Sequence, residues 1–314
     1  MIVKEENMIH KFSVTNFGPF KDEATLNFMV PSQDERDYRF IKSKSGVDLA
    51  KVLVLFGPNG SGKTRILQAF SFLRWFMLQS FSNSNPGDAI QVSPYRLCSN
   101  WQAHPTTFSL EFELDGNIYK YEVCLNKVQV LSEILTKKPK QGTKWPYVYK
   151  WEPDGIAQPK FRDESWSVPG SLPGERMNCT FFSCLLAMGY PLAGRINNAL
   201  LGYGNLGPPG RLSFIRAIMD KAEFYNENSD ILEDVIETMI NFGIPISNIR
   251  IDEQKIENQS MHRGMKIPMS EYSIQGKRYD LPMFEESDGT IALFNSLGPM
   301  LQTLSTGGLL LLDE

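Results

Sequence analysis

The sequence predicts an α/β fold in which antiparallel, β-rich chain surrounds one strand–loop–helix unit and a helical lobe follows. Three observations predict it. An apolar run, Val52 to Phe56, enters the glycine-rich loop GPNGSGKT, and an amphipathic run leaves it. From Phe108 the hydrophobic period becomes two, and from about Cys179 it becomes that of a helix. The chain closes on four leucines followed by Asp313 and Glu314.

The loop is the firmest of these signals. Gly57 and Gly62 flank Pro58, Asn59, Gly60 and Ser61, and Lys63 and Thr64 follow, which is the spacing of a P-loop. Binding a triphosphate takes several backbone N–H groups pointing inward, and only glycine lets the chain approach and turn that tightly. In such a loop Lys63 reaches the β- and γ-phosphates and Thr64 places its hydroxyl on Mg²⁺. The helix that runs on through Arg65 offers its N-terminus to the anion. Residues Gly57 to Arg65 are therefore the candidate nucleotide-binding stretch. A glycine-rich turn beside a surface lysine is the plain alternative.

The whole chain sets bounds on the rest. At 314 residues it can hold two lobes and a large core, and its 42% hydrophobic and 22% charged content is ordinary for a soluble protein. A net charge of −4 gives no general attraction to nucleic acid, so such contact would need a local basic patch. No apolar run is long enough to cross a bilayer and the N-terminus is not a signal peptide. A cytoplasmic protein without a membrane partner is expected. Of Cys98, Cys124, Cys179 and Cys184 only the last two are close, and His10, His104 and His262 lie far from them in sequence. Reduced, buried thiols are expected rather than a zinc site.

In chain order, residues 9–30 read as two strands around Asn16-Phe17-Gly18-Pro19, with Phe12 and Val14 alternating before the turn and Leu26, Phe28 and Val30 after it. Residues 31–50 are polar and read as a loop. The P-loop strand, expected to be buried, and its helix come next, and Asn83 to Gly87 punctuates the helix end. Phe108, Leu110, Phe112 and Leu114 share one face of a hairpin turning at Asp115-Gly116, and residues 128–137 and 147–152 add strands. Leu212, Ile215, Ile218 and Ala222 mark one helix. Asp230 is expected to open another, with Glu233 placed for a capping box and Gly243 at its end. Short strands are expected at 249–251 and 272–274, and an exposed loop at 259–270. The expected division is 1–178 as a nucleotide-binding lobe, 179–284 as a helical lobe with short strands, and 285–314 as a segment returning to the first lobe.

In that last segment, Glu285-Glu286-Ser287-Asp288-Gly289-Thr290 precedes a helical run that Gly298-Pro299 is expected to kink. Gly307-Gly308 breaks the run. Leu309 to Leu312 then reads as a buried strand presenting Asp313 and Glu314 at its C-terminal edge, the form of a Walker B strand. There Asp313 would hold Mg²⁺ through water and Glu314 would polarise the attacking water. A solvated strand end is the plain alternative.

An N-terminal strand pair with Asn-Phe-x-x-Phe (Asn16 to Phe20), then GPNGSGKT, a β-rich insert, a helical lobe, ESDGT and LLLLDE resembles an ABC-type ATPase head, in the order of the SMC and RecF group. Within that class it most resembles the ATP-binding proteins of bacterial abortive-infection and related anti-phage systems, which carry E-S-D-G-T where transporters carry L-S-G-G-Q. The resemblance implies ATP and Mg²⁺ as cofactors and a homodimer, or a higher homo-oligomer, closed around two nucleotides. It also implies that Ser287, Asp288, Gly289 and Thr290 act in trans on the γ-phosphate held by the other subunit. A partner effector, a Toprim-type nuclease or toxin encoded nearby, is implied as well. Asp288 stands where the transporter pattern has glycine. The chain ends at Glu314, so the D-loop and the switch histidine that follow Walker B in this family have no residues here to match.

Gln79, Gln91 and Gln102 are all candidates for the Q-loop glutamine. Phe17 and Phe20 are candidates for contact with base or ribose, against the plainer reading of strand-turn aromatics. Two further functions are weighed beside a phage-defence switch. One is DNA repair or maintenance in the manner of RecF, for which Lys137, Lys138, Lys140 and Lys144 are the local basic run. The other is a nucleotide-gated scaffold with little turnover.

Overall fold

The computed structural model describes residues 7–31, 38–101, 104–139, 143–152, 160–162, 176–201, 203–206, 211–254, 265–306 and 309–313. The chain divides into two compact units. One is Lys4–Gly202 with Gly307–Leu309, and the other is Tyr203–Thr306 with Leu310–Glu314 and Met1–Val3.

The first unit is built on a seven-stranded sheet in the order β2 (Ala24–Asn27), β1 (Asn7–Thr15), β5 (Thr106–Leu114), β6 (Asn117–Leu125), β7 (Val130–Lys137), β8 (Tyr147–Trp151) and β9 (Lys160–Phe161). Every pairing in it is antiparallel. Alternation sets its faces: Phe108, Leu110 and Phe112 of β5 are buried, and Leu110 lies between Phe12 of β1 and Tyr121 of β6. The β5–β6 hairpin turns at Asp115 (φ +50°) and Gly116 (φ +75°), the two positive φ angles that a right-twisting two-residue turn needs. Helix α1 (Lys63–Asn83) packs on the sheet. Phe70 meets Phe12 edge-on at 5.2 Å between ring centroids, and Phe72 meets Phe108 at 5.4 Å. Two short strands, β3 (Phe40–Lys42) and β4 (Asp48–Ala50), pair ahead of the P-loop, where the sequence reads as loop.

Two helices that sequence periodicity assigns to a separate lobe, α2 (Phe181–Ala187) and α3 (Pro191–Leu201), belong to this unit, α2 resting against α1 and α3 against β1. The start of α2 is held by a fully buried carboxylate. Glu133 of β7 accepts from the Phe181 and Phe182 N–H groups at 2.5 and 2.9 Å and from the Tyr149 hydroxyl at 2.7 Å. Burial raises the Glu133 pKa from 4.5 to about 7, with those hydrogen bonds opposing the rise. Cys179 and Cys184 are buried beside it, free thiols with sulfurs 3.9 Å apart; Cys98 and Cys124 are half-buried.

The second unit packs α4 (Arg211–Glu227), α5 (Ser229–Asn241) and α6 (Asp288–Thr306) around Ile218, Tyr225, Val235, Met239, Phe294 and Leu297. Beside them lies an antiparallel sheet of β11 (Asn248–Gln254), β12 (Met265–Ile274) and β13 (Lys277–Pro282), and β10 (Tyr203–Leu206) pairs with β14 (Leu309–Leu312). Two local expectations are corrected. Helix α5 begins at Ser229, so Glu233 falls beyond the third helical position and no capping box forms. Asn228 holds the cap position, and its amide donates back to the Phe224 carbonyl at 2.8 Å. Of the loop expected at 259–270, residues 259–264 lie outside the described residues and 265–270 are the first half of β12. Pro268 is tolerated there because β13 pairing starts only at Met269, so its missing N–H faces no partner strand. The expected end of α5 holds: Gly243 (φ +86°) and Ile244 donate to Ile240 and Met239.

Helix α6 runs unbroken through Gly298-Pro299. The Tyr225 hydroxyl, fully buried on α4, donates to the Phe294 carbonyl at 2.6 Å and accepts from the Gly298 N–H at 3.0 Å. Those two backbone groups are each other's partners at helical spacing, and the hydroxyl stands between them.

Candidate functional site

The sequence places the chemistry at the start of α1, and the local geometry there follows from its glycines. Gly60 (φ +80°) and Gly62 (φ +99°) are left-handed, a conformation that costs glycine nothing. The Ser61 N–H closes back onto the Pro58 carbonyl at 3.2 Å, and the first helical hydrogen bond runs from Ile66 N–H to the Gly62 carbonyl at 3.0 Å. Gly62 caps α1 without a side-chain hydrogen bond, and the first turn carries no acidic residue. The amides of this turn and the positive end of the helix dipole are thus unopposed by a local anion. Lys63 is half-buried, and its ammonium donates to the Gly57 and Pro58 carbonyls at 2.9 and 3.1 Å. Thr64 and Arg65 are exposed on the first turn, and the Arg65 guanidinium donates to Gln68 at 2.9 Å.

The run before the loop differs from expectation. Residues 52–58 form no strand, and four of the five apolar side chains from Val52 to Phe56 are exposed, Val52 74%, Leu53 38%, Val54 60% and Phe56 91%, with Leu55 half-buried. A strand exists only where neighbours take up its N–H and C=O groups. The seven-stranded sheet does not extend to this run, and β14 has its hydrogen-bonded neighbour in β10. An exposed apolar stretch of this length beside the glycine-rich loop is a surface that needs cover.

In the second unit, Ser287 caps α6. Its hydroxyl accepts from the Thr290 N–H at 3.2 Å and lies 2.9 Å from the Thr290 hydroxyl, and the Ile291 N–H donates to the Ser287 carbonyl. Ser287, Asp288 and Gly289 are exposed and Thr290 is buried. Asp288 sits in the first turn of α6, where the helix dipole favours its charge. The preceding Glu286 accepts from the Tyr272 hydroxyl at 2.6 Å. Leu309–Leu312 is a strand as expected, but only Leu311 is buried, and Leu312 is half exposed. Asp313 is half-buried at its end, and Glu314 lies outside the described residues. Gly57 to Arg65 belong to the first unit and Ser287 to Thr290 and Asp313 to the second.

Of the glutamine candidates, Gln79 accepts from Asn83 on α1, Gln91 donates to the Ala89 carbonyl, and Gln102 lies outside the described residues. Phe17 is buried against Phe72 and Phe108, whereas Phe20 is half-buried. In the basic run, Lys137 lies over the Tyr119 ring at 5.6 Å, Lys138 and Lys144 are exposed, and Lys140 lies outside the described residues. Among the described residues no three His, Cys, Asp or Glu side chains gather into a metal cluster. Among the described residues, a Mg²⁺ ion at the loop would take one or two protein oxygens and complete its shell from the phosphates of a bound nucleotide. No helix among the described residues is long and apolar enough to cross a membrane.

The family described as "AAA domain, putative AbiEii toxin, Type IV TA system" matches residues 52–164, about a third of the chain, from the apolar run through the P-loop to the far edge of the sheet. The match supports an AAA-type P-loop ATPase family and an α/β nucleotide-binding fold, of a kind associated with abortive-infection or toxin–antitoxin systems. No curated protein matches the chain.

Proposed function

We propose that this chain is the ATP-binding, ATP-hydrolysing switch subunit of a bacterial anti-phage defence system, working as an ABC-type head that closes on a second copy and controls an effector such as a nuclease. The observation that carries the reading is the GPNGSGKT loop: two left-handed glycines at the unopposed N-terminus of a 21-residue helix, with a lysine already turned over the loop. On nucleotide binding, Lys63 exchanges the Gly57 and Pro58 carbonyls for β- and γ-phosphate oxygens, and the first-turn amides of α1 take the remaining charge. Thr64 and Asp313 are the residues to hold Mg²⁺, which when bound neutralises phosphate charge. Glu314 is the candidate to orient the attacking water. Ser287, with the N-terminus of α6 behind it, serves the γ-phosphate of the partner copy.

The test is the mass of the purified protein in solution with and without ATP–Mg²⁺, beside a Lys63→Ala control. A shift to a dimer or larger species that the control lacks supports closure around nucleotide. An unchanged mass with ATP demonstrably bound removes the sandwich and leaves a nucleotide-binding subunit that works alone or with another protein.

A further inference from the structure

The turn formed by Asn16 to Phe20 lies against the end of the phosphate loop. A Cβ placed on Gly62 would fall 2.7 and 2.9 Å from two atoms of the Phe20 ring and 3.0 Å from the Pro19 ring. Phe20 and Pro19 therefore fill the space where any other residue at 62 would carry its side chain. Three residues on, the Arg65 stem lies along Gly18, 3.6 to 3.7 Å from a Cβ built there. Positions 62 and 65 share one face of the first turn of α1. The turn thus meets the helix start at two points along that face.

The turn itself is fixed from several directions. Phe17 and Phe20 exchange both backbone hydrogen bonds, at 2.9 and 2.8 Å, and the Gly18 N–H donates to the Ser93 carbonyl at 2.7 Å. Asn16 is buried and left-handed (φ +56°). Its amide donates to the His104 and Pro105 carbonyls at 2.8 and 3.1 Å, and its oxygen accepts from the Tyr95 N–H at 3.2 Å. The Thr106 hydroxyl donates to the Asn16 carbonyl at 2.8 Å. The Phe17 ring then joins Phe72 of α1 and Phe108 of β5 in the core. A glycine at φ +99° has no side chain of its own to hold it there, so its conformation is set by what it touches.

We infer that the Asn16–Phe20 turn is a positioning brace for the phosphate loop: Phe20 and Pro19 hold Gly62 in the left-handed conformation that aims the first amides of α1 at the bound phosphates. This rests on the nucleotide-binding reading of the loop. The brace acts on the loop rather than on the nucleoside, so its loss weakens every ligand that uses the phosphate site. Removing a group that orients a binding residue costs on the order of tenfold in affinity.

The experiment is calorimetric titration of wild type, Lys63→Ala, Phe20→Ala and Phe20→Leu with ATP–Mg²⁺ and, separately, with tripolyphosphate–Mg²⁺. Phe20→Ala is expected to weaken both ligands by the same factor, and Phe20→Leu, which refills the space over Gly62, to recover most of the loss. If Phe20→Ala weakens ATP and leaves tripolyphosphate unchanged, the ring touches the nucleoside and the brace is wrong. If wild type binds, Lys63→Ala does not, and Phe20→Ala matches wild type, the brace fails and the phosphate loop stands. If wild type binds neither ligand, the nucleotide-binding reading fails and takes the brace with it. Should Phe20→Ala not fold, Pro19→Ala removes the other half of the contact and is read the same way.

Discussion

Replacing Tyr225 with phenylalanine removes one oxygen from the packing between α4 and α6. That oxygen makes two hydrogen bonds, donating to the Phe294 carbonyl and accepting from the Gly298 N–H. Both lie in the interior, where Tyr225 and Phe294 are fully buried. The next rung of α6 is already weak, because Pro299 has no N–H to offer the Asn295 carbonyl. At a net worth of about 1 kcal/mol per hydrogen bond, the variant should lose about 2 kcal/mol, with ring burial unchanged. The assay is urea unfolding. For a slope of roughly 2–3 kcal/mol/M the midpoint falls by somewhat under 1 M at constant slope. A local readout is more direct: hydrogen exchange in a peptide spanning Phe294–Gly298 should quicken about thirtyfold if opening tracks the same free energy. A loss below about 0.5 kcal/mol with unchanged exchange would refute the reasoning, since it means α6 closes its own rung once the hydroxyl is gone. Gly298→Ala should cost more than Tyr225→Phe, because its Cβ would lie 2.5 Å from the hydroxyl and 2.6 and 2.8 Å from two ring carbons.

Two further outcomes follow from buried polar groups in the first unit. Glu133 titrates at about 7 in the folded protein against 4.5 unfolded, so between those values the folded state holds a proton that the unfolded state has released. Its contribution is complete below 4.5, falls by about 3 kcal/mol as pH rises to 7, and is flat above; the urea midpoint of wild type minus that of Glu133→Gln, followed across this window, should carry that slope. Equal slopes in both proteins would remove the buried-acid explanation. Asn16→Ala removes three side-chain hydrogen bonds and leaves alanine at a left-handed φ. It should destabilise by about 3 kcal/mol, seen as a lowered midpoint, and should weaken tripolyphosphate binding as Phe20→Ala does.

What was legible in the sequence is what short spacing encodes. Asp115-Gly116 between two alternating runs specifies the β5–β6 hairpin, and the stop at Asn83 to Gly87 and the Gly243 cap were readable because a single glycine or turn cluster decides them. The P-loop was readable for the same reason: its glycines and lysine are adjacent. Where the outcome depends on a neighbour far along the chain, local reading failed or was silent. An apolar run such as 52–56 records that cover is needed, but whether a strand forms depends on which strands lie beside it. Asp230 reads as a helix start from its spacing to Glu233, yet the helix begins one residue earlier, with Asn228 at the cap position and no cap bond from its side chain. The stretch 259–270 reads as a loop from sequence, yet over 265–270 β11 supplies a partner edge from Asn248 to Gln254 that local reading does not reveal. The long-range contacts of both units share this character. Phe20 and Gly62, Asn16 and Pro105, Glu133 and Phe181, and Tyr225 and Gly298 are each joined across forty or more residues. A motif therefore names the groups that meet the phosphate, while the residues that hold those groups still are specified by the fold. Phe20 is where the two meet: a residue of the N-terminal strand pair whose ring fills the space over a glycine in the P-loop.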